Sequence, residues 1–246
     1  MTLTDREFWI DYWENKKNLV FRVPRNFVLT NFLIDIIKQG TIKSTLEIGG
    51  FPGHYTVYLK KYLNVEASLL DYVIHPGIIS ELLQTNDLKQ EDIGVIEADL
   101  FNFQSPKKYD LVFSNGLIEH FDDTKLVIEK HVELMNNSGK LFISLPNFRG
   151  INGWFQRKFD NENYLKHNID CMDIQRLQEI CEQLQLKNIQ VFYDGVFMVW
   201  LENESVQPFL VKLLKKIVWV FGKIWSKLFP QKNRMMSPYI VILAEK

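Results

Sequence analysis

Glu47 stands two residues before a cluster of glycines, Gly49, Gly50 and Gly53, in the stretch TLEIGGFPGHY. The apolar run Thr45–Ile48 reads as a buried strand, and a helical pattern over His54–Tyr62 follows the glycines. A strand, a glycine turn and a helix in that order cradle a nucleotide. Glycine lets the backbone approach a ligand, and the helix N-terminus offers free N–H groups. The turn lacks the G-x-G-x-x-G spacing of dinucleotide sites, because Phe51 and Pro52 fill its middle. An acid at the strand tip repels a pyrophosphate and suits a ligand that carries positive charge. Asp71 ends a second apolar run, VEASLLDYV, 24 residues beyond Glu47. An acid about 20 residues on, at the tip of the next strand, accepts both hydroxyls of an adenosine ribose.

The elements that must position these residues fit one α/β domain of 246 residues. Hydrophobic residues make up 46% and charged residues 24%, the proportions of a globular protein. Net charge is −1, so no global field points to nucleic acid. Cys171 and Cys181 have neither pairing nor metal-ligand spacing and read as reduced core thiols of a cytoplasmic protein, with no metal site. The N-terminus has no basic region followed by an apolar core, so no signal peptide is expected, and no stretch reaches a membrane span.

In chain order, Thr4-x-x-Glu7 reads as a capping box opening a helix through about Lys16, with Phe8, Trp9, Tyr12 and Trp13 on it. Pro24 reads as the start of a second helix that Gly40 ends. His75-Pro76-Gly77 opens a helix to about Gln84, and IGVIEADLFNF is a third strand ending at Asp99-Leu100. Leu111–Phe113 is a buried strand whose edge carries Ser114, Asn115 and Gly116; a helix over Asp122–Met135, a turn at Asn136–Gly139 and the strand KLFISLPN follow. Residues 148–168 are too polar and aromatic for a core element and read as a loop covering the acceptor. Asp170–Leu184 is an amphipathic helix, NIQVFYDG a sixth strand and YIVILAEK the last.

On these residues the chain resembles the class I S-adenosylmethionine-dependent methyltransferases, in particular the type 11/23 enzymes that methylate quinone precursors and bacterial glycans. Their first motif is a hydrophobic strand followed by acid-x-Gly-x-Gly-x-Gly; Glu47, Gly49 and Gly53 match, while Phe51 replaces the middle glycine with Gly50 beside it. The sulfonium and ammonium of the cofactor suit Glu47. Asp110, Ser114, Asn115, Glu119 and His120 follow the family's fourth motif without a gap. The resemblance implies a Rossmann-like open sheet of seven strands in the order 3-2-1-4-5-7-6, strand 7 antiparallel, with helices on both faces. It makes 1–40 lid helices, 45–147 the cofactor-binding core and 206–236 a helical insertion before the last strand, all in one domain. It implies S-adenosylmethionine bound by Glu47, Gly49, Gly50, Gly53, Asp71, Tyr72, Asp99, Leu100 and Ser114. Asp99 would take the adenine amino group, with Leu100 against the ring.

The expected reaction is methyl transfer to a small-molecule or lipid- or glycan-linked acceptor, an O-methylation with His120 as general base titrating near neutrality. Tyr12, Asn147, Arg149, Trp154 and His167 are the candidates for touching that acceptor. A structural Glu119–His120 pair competes with the base role. Two other functions stay open: a membrane-surface scaffold with Phe51 filling the methionine pocket, and a nicotinamide oxidoreductase, against which Glu47 argues. Residues 206–229 carry Lys212, Lys215, Lys216, Lys223 and Lys227 within roughly a third of a helix circumference, and apolar residues elsewhere. That pattern fits packing on the protein's own body with the lysines in solvent, an anionic membrane surface at the inner face of the membrane, or a homodimer interface.

Overall fold

A computed structural model describes residues 3–40 and 42–246. Its core is a seven-stranded sheet: β1 Ser44–Ile48, β2 Glu66–Asp71, β3 Gly94–Glu97, β4 Tyr109–Asn115, β5 Met135–Pro146, β6 Lys187–Asp194 and β7 Tyr239–Glu245. The strand order is β3-β2-β1-β4-β5-β7-β6, with β7 antiparallel to both neighbours and the other pairs parallel. The expected order and the single reversed strand are both present. Successive residues of a strand face opposite sides, and both sides are covered, so β4 is apolar throughout its middle. Val112 joins Leu46, Ile48, Ile143 and Ile242 on one face; Leu111 and Phe113 join Phe142 and Val241 on the other.

The helices are α1 Arg6–Asn15, α2 Thr30–Lys38, α3 His54–Tyr58, α4 Pro76–Thr85, α5 Thr124–Leu134, α6 Ile151–Phe159, α7 Asn161–Tyr164, α8 Ile174–Gln183 and α9 Phe209–Leu228. α2 lays Leu33 and Ile36 on one sheet face, and α5 and α8 cover the other with Val127, Ile128, Leu177 and Ile180.

Several boundaries depart from expectation for local reasons. Asp5, rather than Thr4, caps α1, its carboxylate accepting the Phe8 N–H. Pro24 lies in a turn and the second helix begins only at Thr30. The third strand ends at Glu97, leaving Asp99 and Leu100 in the turn beyond it. Asn136–Gly139 is no turn, because β5 already begins at Met135, with a register shift opposite Tyr109 and Leu111. Residues 148–168 hold two helices, α6 and α7, where a loop was expected. Phe155 and Ile151 give α6 an apolar side that packs with Phe197, Val199 and Leu201. The chain reverses direction across the sheet between β1 and β4, and ligands of open parallel sheets bind at the carboxyl edge of that point.

Candidate active site

Two adjoining cavities open at that carboxyl edge. The smaller, about 220 Å³, is lined by Ile48, Gly49, Asp71, Tyr72, Asp99 and Leu100 among others. Asp71 ends β2 buried. One of its oxygens accepts the Phe51 N–H (2.8 Å) and the other that of Val73 (3.2 Å). Burial nonetheless pushes its carboxyl up to about 6. A carboxylate accepts at about four lone-pair sites, so acceptor capacity remains for a ligand hydroxyl. Asp99 is held by the Phe101 N–H and the Asn102 amide, and Leu100 lies beside it.

The larger cavity, about 420 Å³, is lined by Glu47, Gly49, Gly50 and Phe51 at one end and by Glu119, His120 and His167 at the other. Oε2 of Glu47 accepts both the backbone N–H and the hydroxyl of Thr56 at the head of α3, at 2.9 and 2.6 Å. Burial holds this carboxyl at about 8, and no ion pair reaches Glu47 or Asp71 among the described residues. Two buried acids without a protein cation suit a cationic, hydroxyl-bearing ligand. Gly50 is needed because a Cβ there would overlap the Glu47 carboxylate, and Gly49 has φ +65° with the Leu117 side chain against it. Gly53, φ +95°, serves as the N-cap of α3 and lines neither cavity. Phe51 packs its ring on Trp13 and His75, so the cavity stays open beside it.

α1 roofs both cavities. Trp9 and Trp13 line each of them, while Phe8 and Tyr12 line the larger alone. Tyr12 and Lys16 meet Glu202, which ties the helix to the chain beyond β6. His120 sits edge-on to Trp9 (5.1 Å) and 4.8 Å from the His167 ring. It does not titrate near neutrality: burial, reinforced by His167, pushes it down to about 3, so the imidazole is neutral at pH 7. Its Nδ1 faces the Lys166 carbonyl at 3.1 Å and therefore carries the hydrogen.

Besides Gly53, four expected residues lie elsewhere. Ser114 is buried behind the edge, its hydroxyl 2.9 Å from Nε2 of His131, and lines neither cavity. Asn147 donates its amide to the carbonyls of Arg234 and Ser237, pinning the loop before β7. Arg149 pairs with Asp173, which caps α8. Trp154 stands half-exposed on α6 against Phe155 and Phe159. Lys166, Trp200 and Glu202, which line the larger cavity, were not expected there. Their one sequence signal was the dense mixing of aromatic and charged residues near them.

A family model described as a methyltransferase domain matches residues 19–191. A malonyl-[acyl-carrier protein] O-methyltransferase of Ilyobacter polytropus is 29% identical over 114 residues, 45% of this chain and 41% of that protein. The match thus spans less than half of that relative's length. Among solved structures, an S-adenosylmethionine-dependent methyltransferase from Archaeoglobus fulgidus superposes with a TM-score of 0.55 at 16% identity, over 98% of this chain and 100% of that one. The plantazolicin methyltransferase BpumL in complex with S-adenosylhomocysteine gives 0.59 at 15% identity, over 99% and 91%. At such identities these likenesses concern the fold.

Proposed function

The chain belongs to the methyltransferase-domain family, and from that premise we propose that it moves the methyl group of S-adenosylmethionine to an oxygen of a small or carrier-, lipid- or glycan-linked acceptor. One observation carries the reading: the two cavities share Trp9, Trp13, Gly49, Gly116 and His120 as a common wall. A nucleoside fits the smaller cavity, with its ribose hydroxyls on Asp71 and its base beside Asp99 and Leu100. The methionine end fits beside Glu47, whose carboxylate suits the ammonium, and the rest of the larger cavity is left to the acceptor.

When bound, the cofactor supplies an electrophilic methyl group on a good leaving group, so the chain's residues align, enclose and neutralise. Gly49 and Gly50 let the ligand lie against the backbone. Trp9 and Trp13 close over it and keep water out. Nδ1 of His120 is held by a carbonyl, so its Nε2 lone pair is free to accept the proton of an acceptor hydroxyl. The aromatic wall of Phe8, Tyr12, Phe148 and Trp200 suits a planar or acyl acceptor.

Release of S-adenosylhomocysteine tests this, starting with malonyl-acyl carrier protein, the acceptor named for the sequence relative. The malonyl carboxylate has no proton to remove and needs no base, so the base role is tested with a hydroxyl acceptor at saturation, where His120→Ala should lower kcat about a hundredfold. A loss of only a few-fold would leave His120 as a structural partner of Glu119.

A membrane surface is the second part of the reading, and it rests on how α9 is turned. The helix meets the body through Val211, Val218 and Gly222, with Gly222 against the Phe197 ring. Part of the lysine-bearing stripe thus faces inward: Lys215 pairs with Glu204, Lys212 donates to the Ser205 carbonyl and Lys223 is half-buried, while Lys216 and Lys227 stay exposed. This departs from the expected own-body packing with solvated lysines, because Gly222 in that stripe lets the Phe197 ring approach where a Cβ would overlap it. Phe209, Leu210, Phe221 and Leu228 on the outer face are each at least two-thirds exposed. An apolar face of this breadth with Trp219 and Trp225 on it and Lys216 and Lys227 exposed at its sides suits an anionic lipid surface. No described helix is long and apolar enough to cross a membrane.

A further inference from the structure

Glu119, His120 and His167 converge at the acceptor end of the larger cavity, where one carboxylate oxygen and two ring nitrogens all lie within 4.8 Å of one another. Glu119 is 1% exposed, and its Oε2 has no hydrogen-bond partner. A buried carboxylate oxygen without a donor is costly unless something positive meets it. The two imidazoles are set up alike. Nδ1 of His120 lies 3.1 Å from the Lys166 carbonyl, and Nδ1 of His167 lies 2.7 Å from that of Asn163. A carbonyl can only accept, so both Nδ1 atoms carry hydrogen and both lone pairs sit on Nε2. Metal-ligating histidines are held in this way, with the far ring N–H on a backbone carbonyl that fixes tautomer and orientation.

We propose that Glu119, His120 and His167 form a binding site for one divalent transition cation, of the class that accepts two imidazoles and a carboxylate. Zinc, cobalt, iron(II) and manganese belong to that class. Ligand bonds of about 2.1 Å bring such atoms to roughly 3–3.5 Å from one another, so modest side-chain rotations complete the site. Three protein ligands leave coordination positions open toward the cavity, the arrangement of a cation that also holds a substrate oxygen. Lys166 lines the same cavity, with its ammonium drawn over the Phe8 ring, 4.6 Å from the centroid. The metal site rests on the geometry alone, whereas its task of holding the acceptor oxygen rests on the methyl-transfer reading. With the cation bound, the Nε2 lone pair of His120 is a ligand's, and a water of the cavity takes the acceptor's proton in its place.

The test uses the full, untagged chain, freed of metal and titrated with Co2+ by visible absorption and with Zn2+ by calorimetry. The expected result is Co2+ absorption saturating at one equivalent and abolished by Zn2+. Glu119→Gln and His167→Ala should each weaken Zn2+ binding about tenfold or more, with circular dichroism melts to show that each variant folds. Glu119→Gln keeps the carboxylate's shape, so it remains informative should His167→Ala fail to fold. Absence of Co2+ absorption, or Zn2+ affinity unchanged in the folded variants, would overturn the site. A parallel titration with S-adenosylmethionine separates the two ideas. Cofactor binding without metal binding removes this inference alone, and metal binding without cofactor binding removes the methyl-transfer reading alone.

Discussion

Glu47 shows how burial sets the protonation of an acid that lines a cavity. It is buried, with Thr56 supplying two hydrogen bonds and no cation nearby, and so it holds its proton up to about 8. Its ordinary value is 4.5, so between these two values the folded protein keeps a proton that the unfolded chain has given up. Stability of the free protein therefore falls as pH rises through that window. His131, pushed down by burial to about 4, acts in the opposite sense below its ordinary 6.5. His54, His120 and His167 are pushed down too. Unfolded histidines still hold about half their protons at 6.5, so they offset part of the fall there, and the dependence nearer pH 8 reports Glu47 and Glu119. Thermal melts should give a lower Tm at pH 8 than at 6.5, with a shallower drop in Glu47→Gln; an equal drop in both proteins would show that Glu47 ionises as an exposed acid. Glu47 and Asp71 were legible from sequence because each ends an apolar run beside a turn. Ser114 and Asn147 misled because their partners, His131 and the chain at 234–237, lie 17 to 90 residues away. No local pattern records such a contact.

At the scale of elements, the strands were legible because both sheet faces are covered and the runs are short and apolar. Helix ends were read less well where a neighbouring residue competed for the same cap, as Asp5 did with Thr4. α6 was missed because Asn152, Gly153 and Gln156, which are buried, interrupt its apolar pattern. Gln156 is spent on the Trp200 carbonyl, which aligns α6 with the chain after β6. The turn of α9 was legible only as a pattern, since which side meets the body depends on Phe197 finding Gly222. Its outward apolar face makes a definite forecast. In co-sedimentation with vesicles, the protein should pellet with those containing phosphatidylserine and much less with phosphatidylcholine alone, and Phe221→Asp with Trp225→Asp should release it. Equal recovery of both forms in the supernatant, together with concentration-dependent dimerisation lost in the double variant, would assign the face to a second copy instead.

For the molecule as a whole, the sheet reversal between β1 and β4 explains why residues distant in sequence meet. Glu47 and Gly49 leave β1, Asn115 and Gly116 leave β4, and Asp71 ends β2, all on one carboxyl edge. That much follows from strand order and was readable from the spacing of the motifs. The far end of the larger cavity is built differently, from α1, the segment around His167 and the chain after β6. Its members, Tyr12, His167 and Glu202, come together only through contacts across the fold. Asp71 carries the central claim, since strand order, cavity and chemistry agree on it. Calorimetric titration of the protein with S-adenosylmethionine is the most direct measurement, with NADH as the control. The account predicts micromolar binding of S-adenosylmethionine, none of NADH, and loss of the first in a folded Asp71→Ala variant. Binding of NADH, or no binding of S-adenosylmethionine to the intact protein, would contradict it.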